Sequence, residues 1–335
     1  MRSSNTPSIY RPDLCVVTME YLEGEATSNI GLQIMPPFPC DEQAGTFPVI
    51  PAKALLSVED TSRAPRGTYN RGDWEYEEGK YATRENGWEE PIDDRERKLF
   101  ERRAPGQGDF IATRRAMGII VRNQERRIAN KIFNAVNFSA HAVTDEWDDA
   151  PNAKPIDDVT TGKLAFREQC GMLPNALVIS YTTFERLRRV AQIVDLLKYT
   201  FPGLDINSVG AAELARIFNV PRVLVGGAIY DSKGKGLSVD ITDIWDNEYA
   251  ALLRIATDRL DLIEPCVGRT FVWTQDSAEE PIVEQYREEN RRSDIFRVRH
   301  DSDECLLRSY DPAGNVVSDI AAKCVYLFSN ITTKE

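Results

Sequence analysis

Residues 68–88 read TYNRGDWEYEEGKYATRENGW. The stretch carries five aromatics, Tyr69, Trp74, Tyr76, Tyr81 and Trp88, and no Leu, Ile, Val, Met or Phe. Without aliphatic filling it cannot build a core of its own. Rings with polar tips, interleaved with Arg and Glu, are instead the composition of protein–protein interfaces. Trp74 and Tyr76 share a strand face by the two-residue period, and Gly72, Gly79 and Asn86-Gly87 supply turns. The segment 61–98 therefore reads as an extended β-hairpin loop that projects from the body and meets a partner. Its candidate contact residues are Tyr69, Trp74, Tyr76, Tyr81 and Trp88, with Arg63 and Arg66 just upstream. The charge density of the window leaves a disordered acidic loop as the plainer alternative.

Upstream, residues 1–60 read as an arm rather than a domain. Pro7, Pro12, Pro36-Pro37-Phe38-Pro39, Pro48 and Pro51 prevent long helices and favour extended chain. The arm nevertheless holds apolar pieces at 14–19 and 30–35, which must be buried against some surface.

Downstream, Ala104-Pro105-Gly106-Gln107-Gly108 is a break, and Asp109 is a plausible cap for a helix over 109–138. Ile128, Ala129, Ile132, Phe133 and Val136 form one stripe of it, opposite Arg126, Arg127 and Lys131. Its length, about 43 Å at 1.5 Å per residue, suits a structural spine. An acidic loop at 147–155 follows, then helices at 157–170, 181–189 and 209–218, with a buried strand at 176–179, while 222–225 and 243–255 alternate between strand and turn signals. The last third turns to strands, at 270–273, 282–286, 295–299, 305–309 and 325–328. The class is α+β.

The 335 residues are enough for about two domains. A 42% apolar and 28% charged composition is globular. With 53 acidic against 41 basic side chains the net charge is −12, which excludes a dedicated nucleic-acid grip or an anionic membrane surface as the source of affinity. No apolar run is long enough to span a bilayer, and the first residues have no signal-peptide core. The six scattered cysteines read as reduced thiols of a cytosolic chain.

Catalytic chemistry is thinly supplied. His141 and His300 are far apart in sequence and read as surface histidines. Val225-Gly226-Gly227-Ala228 with Lys233-Gly234-Lys235-Gly236 lacks the spacing of a phosphate loop and reads as a strand and a turn. Asp240, Asp243, Asp246 and Glu248 could gather around a hard cation but read more simply as a solvated turn. No residue is assigned as catalytic, cofactor-binding or metal-ligating.

These pieces, in this order, resemble the major capsid proteins of tailed bacteriophages, which share the Hong Kong 97-type capsid fold. The resemblance covers roughly residues 45–330 and rests on named residues. Trp147 with Pro155-Ile156-Asp157-Asp158 resembles the family's tryptophan-to-proline segment, and Leu173-Pro174-Asn175-Ala176-Leu177-Val178-Ile179 its buried strand. Residues 223–230 with Ile244-Trp245-Asp246, and Gly268-Arg269-Thr270-Phe271-Val272-Trp273, resemble two further family signatures. The resemblance implies an N-terminal arm over 1–60, the extended loop over 61–98, and a peripheral domain with its spine helix over 99–159. It further implies an axial α/β domain over 160–262 and C-terminal strands returning to the peripheral domain over 263–335.

What the resemblance implies for function is a structural protein. It self-assembles as hexamers and pentamers into an icosahedral shell around double-stranded DNA, without cofactor or membrane. The implied partners are further copies of the chain, a separate scaffolding protein, a portal and a decoration protein; the implied location is the virion, after assembly in the host cytoplasm. Some relatives form a Lys–Asn crosslink, for which Lys80 is the only lysine between Lys53 and Lys98. An acidic balance suits such a container, which must surround phosphate without gripping it; arginines are then expected mostly in pairs between subunits. The alternatives are a nanocompartment shell of the same fold and, in another class, a metal-dependent hydrolase built on Asp240, Asp243 and Asp246.

Overall fold

A computed structural model of the chain describes residues 8–16, 28–51, 56–72, 76–102, 106–200, 209–233, 236–258, 261–276 and 281–332. Two sheets and one long helix organise them. The first sheet is built on Ser293–Leu306, which pairs antiparallel with Ile282–Glu288, with Gly268–Trp273 and, over ten positions, with Arg84–Asp93. Ile9–Tyr10 extends the sheet beside Ile282–Glu288, and Pro37–Cys40 lies parallel to Gly268–Trp273.

The second sheet runs in the order Ala140–Ala142, Val325–Ser329, Ala250–Leu253, Ala176–Ser180, Arg222–Gly226. Ala176–Ser180 and Ala250–Leu253 are buried at every position, as expected of strands covered on both faces. Leu177, Ile179, Leu252 and Phe328 face the core beneath helix Pro155–Cys170. Ala176, Val178, Ala251 and Leu253 face the opposite core, where Ile128, Ala129 and Ile132 of the long helix pack.

That helix, Gln107–Ile132, joins the two halves. Its first half packs through Ala112, Ala116, Met117 and Ile120 on Val283, Phe296 and Val298 of the first sheet, and its second half covers the second sheet. It stops six residues short of the expected end at 138. Asn134 Oδ1 accepts from the Val136 N–H and Asn137 Nδ2 donates to the Lys131 carbonyl, so asparagine side chains replace the helical partners. Val136, expected in the buried stripe, is 94% exposed as a result.

Three further expectations give way. The strands of the supposed loop do not pair with each other: Glu77–Ala82 pairs with Ala44–Val49, and Arg84–Asp93 enters the first sheet. The hairpin thus joins the 1–60 and 61–98 segments. The last strand, Val325–Ser329, leaves the other C-terminal strands and lies inside the second sheet, because its alternation of Val325, Leu327 against Tyr326, Phe328 fills both faces. Of the two histidines expected on the surface, His300 is buried in the long strand, while His141 is half-buried and stacks on Tyr326 with centroids 4.2 Å apart. Asp93 and Asp94, which read as loop and helix-start acids, cap and open helix Asp94–Glu101, whereas helix Ala191–Thr200 has no counterpart in the sequence pattern.

The tryptophan motifs have direct structural explanations. Trp147 is buried and donates Nε1–H to Asp158 at 2.9 Å, with Pro155 opening the helix that carries the acid. Trp245 is buried and donates to Glu125 of the long helix at 2.7 Å. Thr270 donates its hydroxyl to the Met35 carbonyl at 2.8 Å, and Trp273 Nε1 to the Asp41 carbonyl at 3.1 Å, so the 268–273 strand is the seat of the arm. The apolar piece 30–35 is buried there and against the long helix, as its composition requires; the piece 14–19 is described only to residue 16, with Leu14 buried.

Candidate functional site

Residues 56–72 are exposed at every position and contain no strand or extended helix. The loop is closed by its own polar groups. Asn70 Nδ2 donates to the Asp60 carbonyl at 2.8 Å, and the Asp60 carboxylate accepts from the backbone and hydroxyl of Ser62. Those bonds hold the Asp60 carboxyl below its ordinary value. Gly67 N–H donates to Ala64 O, while Arg63 Nε donates to the Gly67 carbonyl and its guanidinium lies 4.6 Å from the Tyr69 ring centroid. Arg66 takes the left-handed conformation, φ 66°, at the tip of that turn. Arg63 and Arg66 thus shape the loop that presents Tyr69.

The aromatics of 68–88 do not form one surface. Tyr69 is 70% and Tyr76 60% exposed, both in the connector before Glu77–Ala82. Trp88 is 45% exposed but sits on the first sheet opposite Val298, in a shallow groove with Glu85, Glu89 and Arg297. Tyr81 turns inward and stacks on Phe271, centroids 4.4 Å apart and planes 5° apart. Burial, with the nearby Cys40 thiol, pushes its phenol up to about 12. Trp74, and with it the face it was expected to share with Tyr76, lies outside the described residues. Three of the five rings are therefore placed on the outside of the subunit, and one is half-buried against its core.

Lys80 donates to the Asp311 carbonyl at 3.5 Å and lines a cavity of about 210 Å³ with Lys131, Asn137, Glu304 and Arg308. The acids of the hydrolase alternative disperse. Asp240 meets Ser232 and Lys233, Asp243 accepts from Thr182 and Asn247, and Asp246 accepts from the Glu248 N–H. Among the described residues no group of three or more His, Cys, Asp or Glu is placed to hold a metal ion. No helix among them is long and apolar enough to cross a membrane.

Two features escaped the sequence reading. The hairpin of Ile229–Asp231 with Ile241–Asp243 exposes Ile229, Leu237, Val239 and Ile241. The alternation Leu237-Ser238-Val239-Asp240-Ile241 is its signal, masked by the acids of the same window. The second is Glu125, whose buried carboxylate accepts from Ile30 N–H at 2.9 Å, Gly31 N–H at 2.7 Å and Trp245. A single acid in a long helix carries no sequence signal for such a role. Many arginines also form ion pairs within the chain. Arg97 pairs with Asp294 and Asp109, Arg127 with Glu304, Arg287 with Asp94, and Arg297 with Glu89.

No family model matches the chain. Its sequence is 27% identical over 281 residues to the major capsid protein of Burkholderia phage BcepMu, covering 80% of this chain and 86% of that protein. Its fold matches a phage-related protein from Bordetella bronchiseptica RB50 with a TM-score of 0.69 at 20% identity, over 97% of this chain and 98% of the other. It also matches the capsid structure of cyanophage P-SCSP1u with a TM-score of 0.53 at 10% identity, over 88% and 86% of the two chains. In sequence this chain is similar to a phage major capsid protein, and in fold it is similar to a phage capsid structure.

Proposed function

We propose that the chain is the shell-forming subunit of a phage head with the Hong Kong 97-type fold, assembling as hexamers and pentamers into an icosahedral container for double-stranded DNA. The observation that carries this reading is the sequence relation to a phage major capsid protein over 80% of the chain. The fold agrees with it along nearly the whole length. In this reading Gln107–Ile132 is the spine of a peripheral domain, the second sheet belongs to the axial domain, and the hairpin of 44–82 is the extended loop that overlaps a neighbour. Tyr69, Tyr76 and Trp88 then contact adjacent subunits, with Arg63 and Arg66 fixing the loop, and the apolar hairpin of 229–243 faces subunits around the symmetry axes. Scaffolding, portal and decoration proteins would be further partners, the virion the final location, and the host cytoplasm the place of assembly.

Electron microscopy of the purified chain tests this directly. Capsomers, sheets or closed shells are the expected result, and shells recovered from infected or induced cells should contain DNA. A monodisperse small oligomer that never assembles, with or without scaffold, would overturn the reading. Shells that carry protein cargo and no nucleic acid would replace it by the nanocompartment alternative.

A further inference from the structure

Helix Pro155–Cys170 ends on Cys170, and Cys324 follows the short helix Ile320–Lys323 just before strand Val325–Ser329. The two sulfurs are 3.6 Å apart inside the largest core cluster, although the residues are 154 positions apart in sequence. None of the six cysteines is in a disulfide. A hydrogen bond joins the two thiols; against burial, it favours a thiolate at Cys170, as do the Met172 N–H and the charges of Arg254 and Lys323. The same contact, with burial, pushes the Cys324 thiol up. Cys170 is 5% exposed and Cys324 0%, so Cys170 is the thiol a reagent reaches first and Cys324 the one placed to resolve the mixed disulfide. Cys170 is followed by Gly171, at φ +72°, and by exposed Leu173, so the sulfur lies just beneath a surface turn.

We propose that Cys170 and Cys324 form a closable disulfide, a modification site that a small-molecule disulfide can oxidise in the folded chain. The Cys170 thiolate attacks one sulfur of the reagent, whose S–S bond breaks and releases one thiolate. Cys324 gives its proton to water, and its thiolate attacks the Cys170 sulfur, expelling the second thiolate. Two protein thiols are oxidised, and the reagent is reduced to two thiols. Closing to the bonded distance of about 2.05 Å requires the sulfurs to approach by about 1.5 Å, within the reach of side-chain adjustment. The bond ties the end of the helix to the strand it packs on and closes a long loop, which restricts the unfolded chain. The proposal stands independently of the shell reading.

The test uses the full chain under native conditions with oxidised glutathione as probe. The expected product is a Cys170–Cys324 linked peptide about 2 Da lighter than the two reduced peptides together, with a melting temperature raised by about 5 °C, both reversed by dithiothreitol. Cys324→Ser should stop at glutathione attached to Cys170, while Cys170→Ser should leave Cys324 unmodified. Partly exposed Cys15 reports that the reagent is active. If Cys15 reacts while Cys170 and Cys324 stay reduced, or if Cys324 links instead to buried Cys266, the proposal is overturned. The peptide map of the unsubstituted chain decides this even if a serine variant does not fold.

Discussion

Two buried glutamates on or against the long helix respond to pH with opposite signs. Burial opposes the charge of Glu304, but the bidentate Arg127, at 2.7 and 2.9 Å, and the nearby Lys131 outweigh it and hold the carboxyl below its ordinary value. Its contribution is therefore present above the unfolded value near 4.5 and is lost as pH falls through the lower folded value. Glu125 faces no cation among its hydrogen-bond partners; burial raises its pKa against the bonds from Trp245, Gly31 and Ile30. Its contribution is present below about 4.5 and is lost as pH rises through the raised folded value. Urea melts from pH 3.5 to 8 separate the two. Glu304→Gln should cost about 2 kcal/mol at pH 7, toward the low side for a buried pair because Arg127 still reaches water, and should lose part of the acid-side decline. Glu125→Gln should remove a component that declines with rising pH, whereas Glu125→Ala strands three donors and should cost about 3 kcal/mol. Parallel pH profiles for wild type and Glu125→Gln would contradict the assignment of that component.

At the level of elements, local periodicity revealed what local chemistry decides and missed what distant partners decide. The helix Pro155–Cys170 and the strand Ala176–Ser180 announce themselves through a proline start, a glycine stop and an unbroken apolar run. Arg84–Asp93 does not, because its strand character comes from ten partners near residue 300, including the Glu89–Arg297 ion pair at 2.7 Å. Tyr81 is indistinguishable by sequence from the exposed rings around it because its stacking partner, Phe271, is far away in the chain. The hairpin shows the same dependence: Phe47 lies over Gly79, where an added Cβ would come within 2.3 Å of the ring, and Phe47 in turn sits 5.1 Å from Phe271. Gly79→Ala should push Phe47 off this seat and cost about 1–3 kcal/mol. Hydrogen exchange should then show faster exchange in both Ala44–Val49 and Glu77–Ala82, while the ladder between Ile282–Glu288 and Ser293–Leu306 keeps its protection. Unchanged protection of the hairpin would mean that its attachment does not pass through this contact.

For the whole molecule, the question is which exposed rings serve the subunit and which serve a neighbour. Tyr69, Tyr76 and Trp88 keep 70%, 60% and 45% of their surface in solvent, so truncating them removes little from the subunit's own core. The triple variant Tyr69→Ala, Tyr76→Ala, Trp88→Ala should therefore retain its circular dichroism and melt within a few degrees of wild type. Tyr81→Ala is the contrasting control: it removes the stack on Phe271 and should destabilise the isolated subunit. Aromatic anchors at an interface commonly cost more than about 1 kcal/mol each when truncated, and every subunit of a shell repeats the loss. About 1.4 kcal/mol per subunit already raises the concentration needed for assembly roughly tenfold. Light scattering against protein concentration should consequently show the triple variant assembling only at a tenfold or higher concentration, or not at all. If instead it assembles at the wild-type concentration with its fold intact, these rings do not form the intersubunit contact, and the apolar hairpin of 229–243 becomes the surface to truncate next.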